Sequence, residues 1–463
     1  MEKERIRIQS IEIENIKNVS KGSVSLNDTK EESMGASVVG IYGQNGSGKT
    51  ALIWAIGLIK DAISGISLPA DSHFYLRKKS NKASIQVKFE LTIEQRQYIV
   101  YYCISFTNSD DKTAIVSESV DFSAKAIDNF ARINKTRIIG IDYPIESNEL
   151  DECFFYPETR ISEMATVNRQ IRQKLLVLQA LANEKSSSFI FNDKMMDLLE
   201  TSFPNKLYYK ILDELRFFAR MNLFVLNKNS ESSYNMNLLP LSMRLSTKDS
   251  ISKSDAIPVG LGQNSASVNA FQTIKSIISQ IDLLIDSIVP GLKIEIINIT
   301  SQLNEKSDEE ILFELASNRN GILTPLRYES EGIKKILCIL SSLIAMYNNS
   351  SIFVAIDEMD AGIFEYLLGE ILDTIKSTGK GQLLFTSHNM RPLEVLDSSN
   401  IYFTTTNPDN KYIRFTGVKT NNNLRTTLLR TIDLGGQKET IYDNTSTYQI
   451  GKAFRKAGVL VSG

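Results

Sequence analysis

The chain has 463 residues, 42% of them hydrophobic, and a formal net charge of −2. That is the composition of a soluble globular protein of roughly two to three domains, and it excludes a chain that coats nucleic acid over its whole surface while leaving room for a local basic stripe. Cys103, Cys153 and Cys338 stand far apart, with no CxxC and no Cys/His ligand spacing, so they read as reduced thiols and not as a disulfide framework or a zinc site.

In chain order, Met1 to Arg5 is charged with no apolar stretch behind it, which speaks against a signal peptide. Ile6 to Asn15 alternates apolar and polar residues as a half-buried strand does. A polar loop follows from Asn27 to Gly35. Ala36 to Tyr42 is a short apolar run that ends in a glycine-rich turn and opens into a helix from about Thr50 to Ile63. Strand-like runs at Ser84–Leu91 and Gln97–Phe106 complete a mixed, β-rich first lobe, assigned to residues 1–161. Arg169–Leu181, Asp193–Thr201 and Lys206–Ala219 have helical periodicity, Asn227 to Ala270 reads as a long mobile loop, and a helix from about Ala270 to Ile288 stops at Pro290-Gly291. Residues 162–290 therefore read as a helical insertion, too short for a long coiled-coil arm. Strands resume at Leu292, then helix 331–347, strand 351–356, helix 363–377, strand 381–386 and a strand near Asn400–Thr405. That alternation predicts an α/β fold with a parallel sheet in a C-terminal lobe, 291–420, followed by an extension, 421–463. The longest apolar region, Ile333 to Tyr347, is broken by Lys334 and Lys335 and falls short of a membrane span, so a cytoplasmic location without membrane contact is expected.

Four motifs carry chemistry. Gly43-Gln44-Asn45-Gly46-Ser47-Gly48-Lys49-Thr50 matches G-x-x-x-x-G-K-[ST] in full. Its glycines let successive backbone N–H groups curl around phosphate oxygens, and the following helix offers its positive end to the same anion. Lys49 can reach the β and γ phosphates, and the Thr50 hydroxyl can ligate Mg²⁺. Ser351 to Asp360 is an apolar strand ending in acids, where Asp357 suits the metal shell and Glu358 suits the general base that polarises the attacking water. His388 follows the next buried strand, where it can sense the γ-phosphate and hold that water. His73 has no such context. Tyr328 to Lys335 opens an apolar helix, with Ser330 as an N-cap whose hydroxyl can face a phosphate. Arg77, Lys78, Lys79 and Lys82 form one small basic cluster that reads as a solvated face.

With these motifs in this order, the sequence resembles the ABC ATPases of the SMC-like and OLD (overcoming lysogenization defect) type over residues 1–110 and 295–405, including the opening Ile-Glu-Asn-Ile-Lys-Asn18. The resemblance implies an ABC-type P-loop ATPase fold, ATP and Mg²⁺ as cofactors, and a homodimer or larger homo-oligomer with composite sites. In such a site Ser330 and Gly332 of the Ser-x-Gly signature bind the γ-phosphate held by the opposite subunit, and Asp360 lies in the subunit-crossing loop. The signature departs from the transporter Leu-Ser-Gly-Gly-Gln, and the family's Mg²⁺-contacting Gln has no clear counterpart, Gln86 being in mid-strand. OLD-like nucleases carry a Toprim domain after the ATPase. The short stretch after His388 holds no Asp-x-Asp, so the resemblance implies no nuclease activity in this chain and a separate effector polypeptide.

Two functional readings stay open. In the first the chain is a nucleotide-dependent switch that holds a separate Toprim nuclease until a phage-encoded trigger releases it, as in two-gene anti-phage systems, the size fitting the ATPase subunit of the PARIS type. In the second it is an SMC-like ATPase that processes DNA ends. Regions 162–290 and 421–463 are the expected partner contacts.

Overall fold

Strand burial falls into two patterns in the computed structural model, which describes residues 4–26, 35–77, 80, 82–109, 112–126, 131–143, 154–227, 238–242, 246–247, 250–251, 256–303, 309–417, 423–443 and 445–460. Ala83–Ile93 alternates buried and half-buried residues along its whole length, whereas Phe353–Ile356, Gln382–Thr386 and Ile401–Thr404 are buried at every position. Alternation marks a sheet with one face on the core, and continuous burial marks parallel strands covered on both faces.

The alternating strands build a seven-stranded antiparallel sheet. Its order is Val19–Ser25, Glu4–Ile16, Ala83–Ile93, Arg96–Ser109, Lys112–Ala124, Ile133–Asp142 and Phe154–Tyr156. The buried strands build a six-stranded sheet in the order Tyr412–Ile413, Ile401–Thr404, Ser37–Tyr42, Gln382–Thr386, Phe353–Ile356 and Leu223–Leu226. All its pairings are parallel except the one made by Tyr412–Ile413. A smaller antiparallel sheet joins Gln263–Ser267, Glu309–Arg319, Leu292–Leu303 and Ile322–Pro325.

The parallel sheet separates two hydrophobic cores. Val39, Ile41, Phe353, Ala355 and Leu384 face the helix Lys49–Ser64 and the antiparallel sheet. Their chain neighbours Val38, Tyr42, Val354, Ile356, Leu383 and Phe385 face the helices Val268–Ile288, Glu331–Asn348 and Glu365–Thr378. The period of two along each strand thus sorts the helices onto opposite faces. Buried polar side chains help to bolt the sheets together. The buried Gln382 amide accepts from Ile8 N at 2.7 Å and donates to Ile8 O at 2.8 Å, where the pairing of Glu4–Ile16 with Ala83–Ile93 slips register.

The α/β class and the parallel sheet agree with the sequence expectation. The stretch 162–290 differs from a purely helical insertion. Its helices Ile171–Glu184, Asp193–Ser202 and Lys206–Met221 are present, but Leu223–Leu226 then joins the edge of the parallel sheet. Four apolar residues directly after a helix carry no alternation, so only the sheet reveals them as a strand. Gln263–Ser267 also pairs with Glu309–Arg319, inside the stretch expected to be a loop. The polar loop at 27–34, much of 228–258, and Lys78, Lys79 and Cys153 lie outside the described residues.

Candidate functional site

Because the strands run parallel, their C-terminal ends share one edge of the sheet, the usual place for a ligand in such folds. The loop 43–48 leaves Ser37–Tyr42 at this edge. Gly48 caps the helix Lys49–Ser64 with φ of 106°, a conformation L side chains rarely adopt. Lys49 Nζ donates to the carbonyls of Gly43 at 2.8 Å and Gln44 at 3.0 Å, which holds the loop curled. Thr404, at the end of the neighbouring strand, donates from Oγ1 to Ser47 Oγ at 2.6 Å.

On the other flank, Asp357 ends Phe353–Ile356 and is 2% exposed. Its Oδ1 accepts from Thr386 at 2.6 Å and from Thr50 at 3.2 Å. Its Oδ2 is buried without a hydrogen-bond partner. A buried carboxylate oxygen left unmatched beside a threonine hydroxyl fits a divalent cation, which would supply charge neutralisation for phosphate oxygens there. Glu358 is half-buried with φ of 48°, a strained value for a residue with a side chain, and its N–H donates to Thr386 Oγ1 at 2.7 Å. Asp360 Oδ2 accepts from the N–H groups of His388 at 3.1 Å and Asn389 at 3.0 Å. The His388 imidazole is held below the ordinary histidine range by burial and by the Lys49 ammonium, against the opposing pull of Asp360, Glu358 and Asp357. Lys49, Thr50, Asp357, Glu358, Asp360 and His388 therefore come together.

Ser330 and Gly332 do not join them directly. Ser330 caps the helix Glu331–Asn348, accepting from Ile333 N at 3.4 Å, and is exposed. This helix packs on the sheet face opposite the phosphate-loop helix. Gly332 touches the loop of Asp360 instead, since a Cβ there would meet the Gly362 carbonyl oxygen at 2.3 Å. Gln86 pairs with Glu12 and Cys103 in the middle of the antiparallel sheet. His73 donates from Nδ1 to the Ala70 carbonyl at 2.9 Å in a short helical turn.

A family model described as "AAA domain, putative AbiEii toxin, Type IV TA system" matches residues 38–394, more than three-quarters of the chain. The chain belongs to this family. Its parallel sheet, phosphate loop and acidic strand end are those of a P-loop ATPase domain. No curated protein matches it in sequence. Among solved structures the AAA domain is similar to an Smc head bound to the C-winged helix domain of ScpA, 14% identical over 88% of this chain and 98% of that one, with a TM-score of 0.43. It is also similar to an Smc head with an extended coiled coil bound to the C-terminal domain of ScpA, from Pyrococcus furiosus, at 14% identity, 93% and 100% coverage and a TM-score of 0.39. An SMC head from Thermotoga maritima is 12% identical over 88% and 99%, with a TM-score of 0.36. Among the described residues no helix is long and apolar enough to cross a membrane.

Several residues at the site escaped the sequence reading. Thr386 stands two residues before His388, and its place at a buried strand end was the available signal. Asn18, quoted above only as the last residue of the opening motif, donates to the Gly46 carbonyl. Tyr412 donates to the Gly48 carbonyl at 2.8 Å, and Asp443 N–H donates to Gln44 Oε1 at 2.7 Å. These last two come from distant parts of the chain, and nothing local marks them.

Proposed function

We propose that this chain is a nucleotide-dependent switch in which ATP with Mg²⁺, held by one copy, is closed over by Ser330 of a second copy. The observation that carries the reading is the placement of the phosphate loop and the Ser330 cap on helices at opposite faces of one sheet. A chain built so cannot reach its own phosphate loop with its own Ser330, whereas two copies related by a two-fold axis each complete the other's site. Gly43 to Gly48 cradle the phosphates, Lys49 neutralises the β and γ oxygens, and Thr50 with Asp357 holds the cation. Glu358 takes the proton of the attacking water and His388, neutral at pH 7, positions it. Asp360 braces the His388 loop and, through Gly362 and Gly332, links it to the signature helix. The closed pair acts in the cytoplasm as the scaffold for a separate effector, a Toprim nuclease released by a phage-encoded protein. The family's description, naming a toxin–antitoxin system, supports a two-protein arrangement of this kind.

The composite site is tested by mixing inactive variants. Lys49→Ala loses ATP binding, and Ser330→Arg binds ATP but does not turn it over. A mixed pair retains one intact site, with Lys49 from one copy and Ser330 from the other, so an equal mixture regains about a quarter of wild-type phosphate release if pairing is random. A mixture as inactive as its components rules the composite site out.

A further inference from the structure

The chain returns to its phosphate loop after the last strand of the parallel sheet. Glu439 accepts from Asn407 at 3.2 Å and from Asn410 at 3.0 Å, and Thr406 N–H donates to the Thr440 carbonyl at 2.8 Å. Ile441 is buried, and Asp443 N–H then reaches Gln44 Oε1 at 2.7 Å. The Gln44 carbonyl meanwhile holds Lys49 Nζ at 3.0 Å. One phosphate-loop residue is thus tied by its backbone to the loop's lysine and by its side chain to a segment 399 positions away.

This segment is the outer wall of a cavity of about 290 Å³, lined by Asn18, Gln44, Asn45, Thr405, Lys411 and Asp443 among others. Its place in the sheet order matters. Asp357, Glu358 and His388 follow the two strands on one side of Ser37–Tyr42, whereas Thr405 and Lys411 follow Ile401–Thr404 on the other side. A triphosphate with its γ end at Asp357 would run along the loop toward the opposite flank, where this cavity lies. The volume is at the small end of the range for ligand sites, about 300–1,000 Å³. Lys411 is 5% exposed and its ammonium is committed to the Thr405 carbonyl at 2.7 Å, so it braces the wall. Asp443 is exposed and carries the one carboxylate of the six side chains named.

We propose that this cavity takes the nucleoside end of the nucleotide, that the Asp443 carboxylate accepts hydrogen bonds from the ribose hydroxyls, and that residues 439–443 are a strap tightened by that contact. This rests on the nucleotide site proposed above. The strap lets a part of the chain distant in sequence register whether a nucleoside is present, because its carboxylate in the cavity is that of Asp443.

The test uses the full chain with Mg²⁺ and three probes: ATP, 2′,3′-dideoxy-ATP and inorganic triphosphate, with affinities from calorimetry. Wild type should bind ATP roughly three- to tenfold more tightly than the dideoxy analogue, the worth of one or two hydrogen bonds. Asp443→Ala should erase that difference and leave triphosphate binding unchanged. Amide exchange at 439–443 should slow with ATP and not with triphosphate. Equal affinity of wild type for ATP and its dideoxy analogue, or exchange at 439–443 indifferent to ATP, overturns the proposal and leaves the phosphate site standing. Failure of wild type to bind either ATP or triphosphate removes the nucleotide site itself, and the strap with it.

Discussion

The Thr386 hydroxyl donates to Asp357 and accepts from the Glu358 amide, so a single side chain spaces the two acids on which the proposed chemistry depends. Thr386→Val keeps the shape and removes the hydroxyl. It takes from Asp357 Oδ1 the shorter of its two hydrogen bonds and from the Glu358 N–H its bond to Thr386, which should cost about 1–3 kcal/mol of unfolding free energy in denaturant titrations. Unchanged stability there would mean that water replaces the hydroxyl without loss. His388 makes a second prediction. Its lowered pKa keeps the imidazole neutral at pH 7. On acidification the unfolded chain takes up this proton first, so the histidine's contribution to stability is present above the ordinary value of 6.5 and fades as pH falls through the lowered folded one. The chain holds two histidines, so ring proton NMR resolves His388 directly. Its midpoint should lie below 6.5 and rise in Lys49→Met, because burial and the Lys49 charge set the shift. A midpoint that ignores Lys49→Met would place the ammonium too far away to act.

At the scale of elements, the decisive contact is between the start of the helix Glu331–Asn348 and the turn at Gly362. Gly362 has φ of 74°, and Gly332 lies against its carbonyl so closely that a methyl group does not fit. Gly332→Ala must push the helix and the Asp360 loop apart, and Asp360 carries with it the backbone of His388 and Asn389. ATP binding to the phosphate loop should stay near wild type, since no phosphate-loop residue moves. Turnover should fall by at least tenfold, because a displacement of this size in a positioned site typically costs that much or more. Titrated binding beside steady-state phosphate release separates the two effects. If turnover survives intact, the two elements are coupled only by packing.

Over the whole molecule, what could be read from the sequence depended on the range of the forces involved. The phosphate loop, the acidic strand end and the Ser330 cap are local patterns, and the elements that bear them lie within a few residues of their expected ends. The alternating strands declared one buried face, and the continuous apolar runs declared two. Leu223–Leu226 was hidden because it is a strand only by virtue of Phe353–Ile356 beside it. Thr386, Tyr412 and Asp443 were hidden because their roles come from partners hundreds of residues away or across a sheet, and polar residues at such places look the same as solvated ones. The separation of the phosphate-loop helix from the Ser330 helix was hidden as well, since it is a property of the sheet as a whole.

The order of strands in that sheet also sets a timetable for synthesis. Ser37–Tyr42 leaves the ribosome early, yet its neighbours on both sides, Gln382–Thr386 and Ile401–Thr404, are among the last strands made. At ordinary elongation rates the phosphate-loop strand waits roughly 20–70 s with both edges open. The antiparallel sheet, made almost wholly of sequence neighbours, has no such wait. A nascent chain therefore cannot set the phosphate loop between its two flanking strands until nearly all of the sheet has been made.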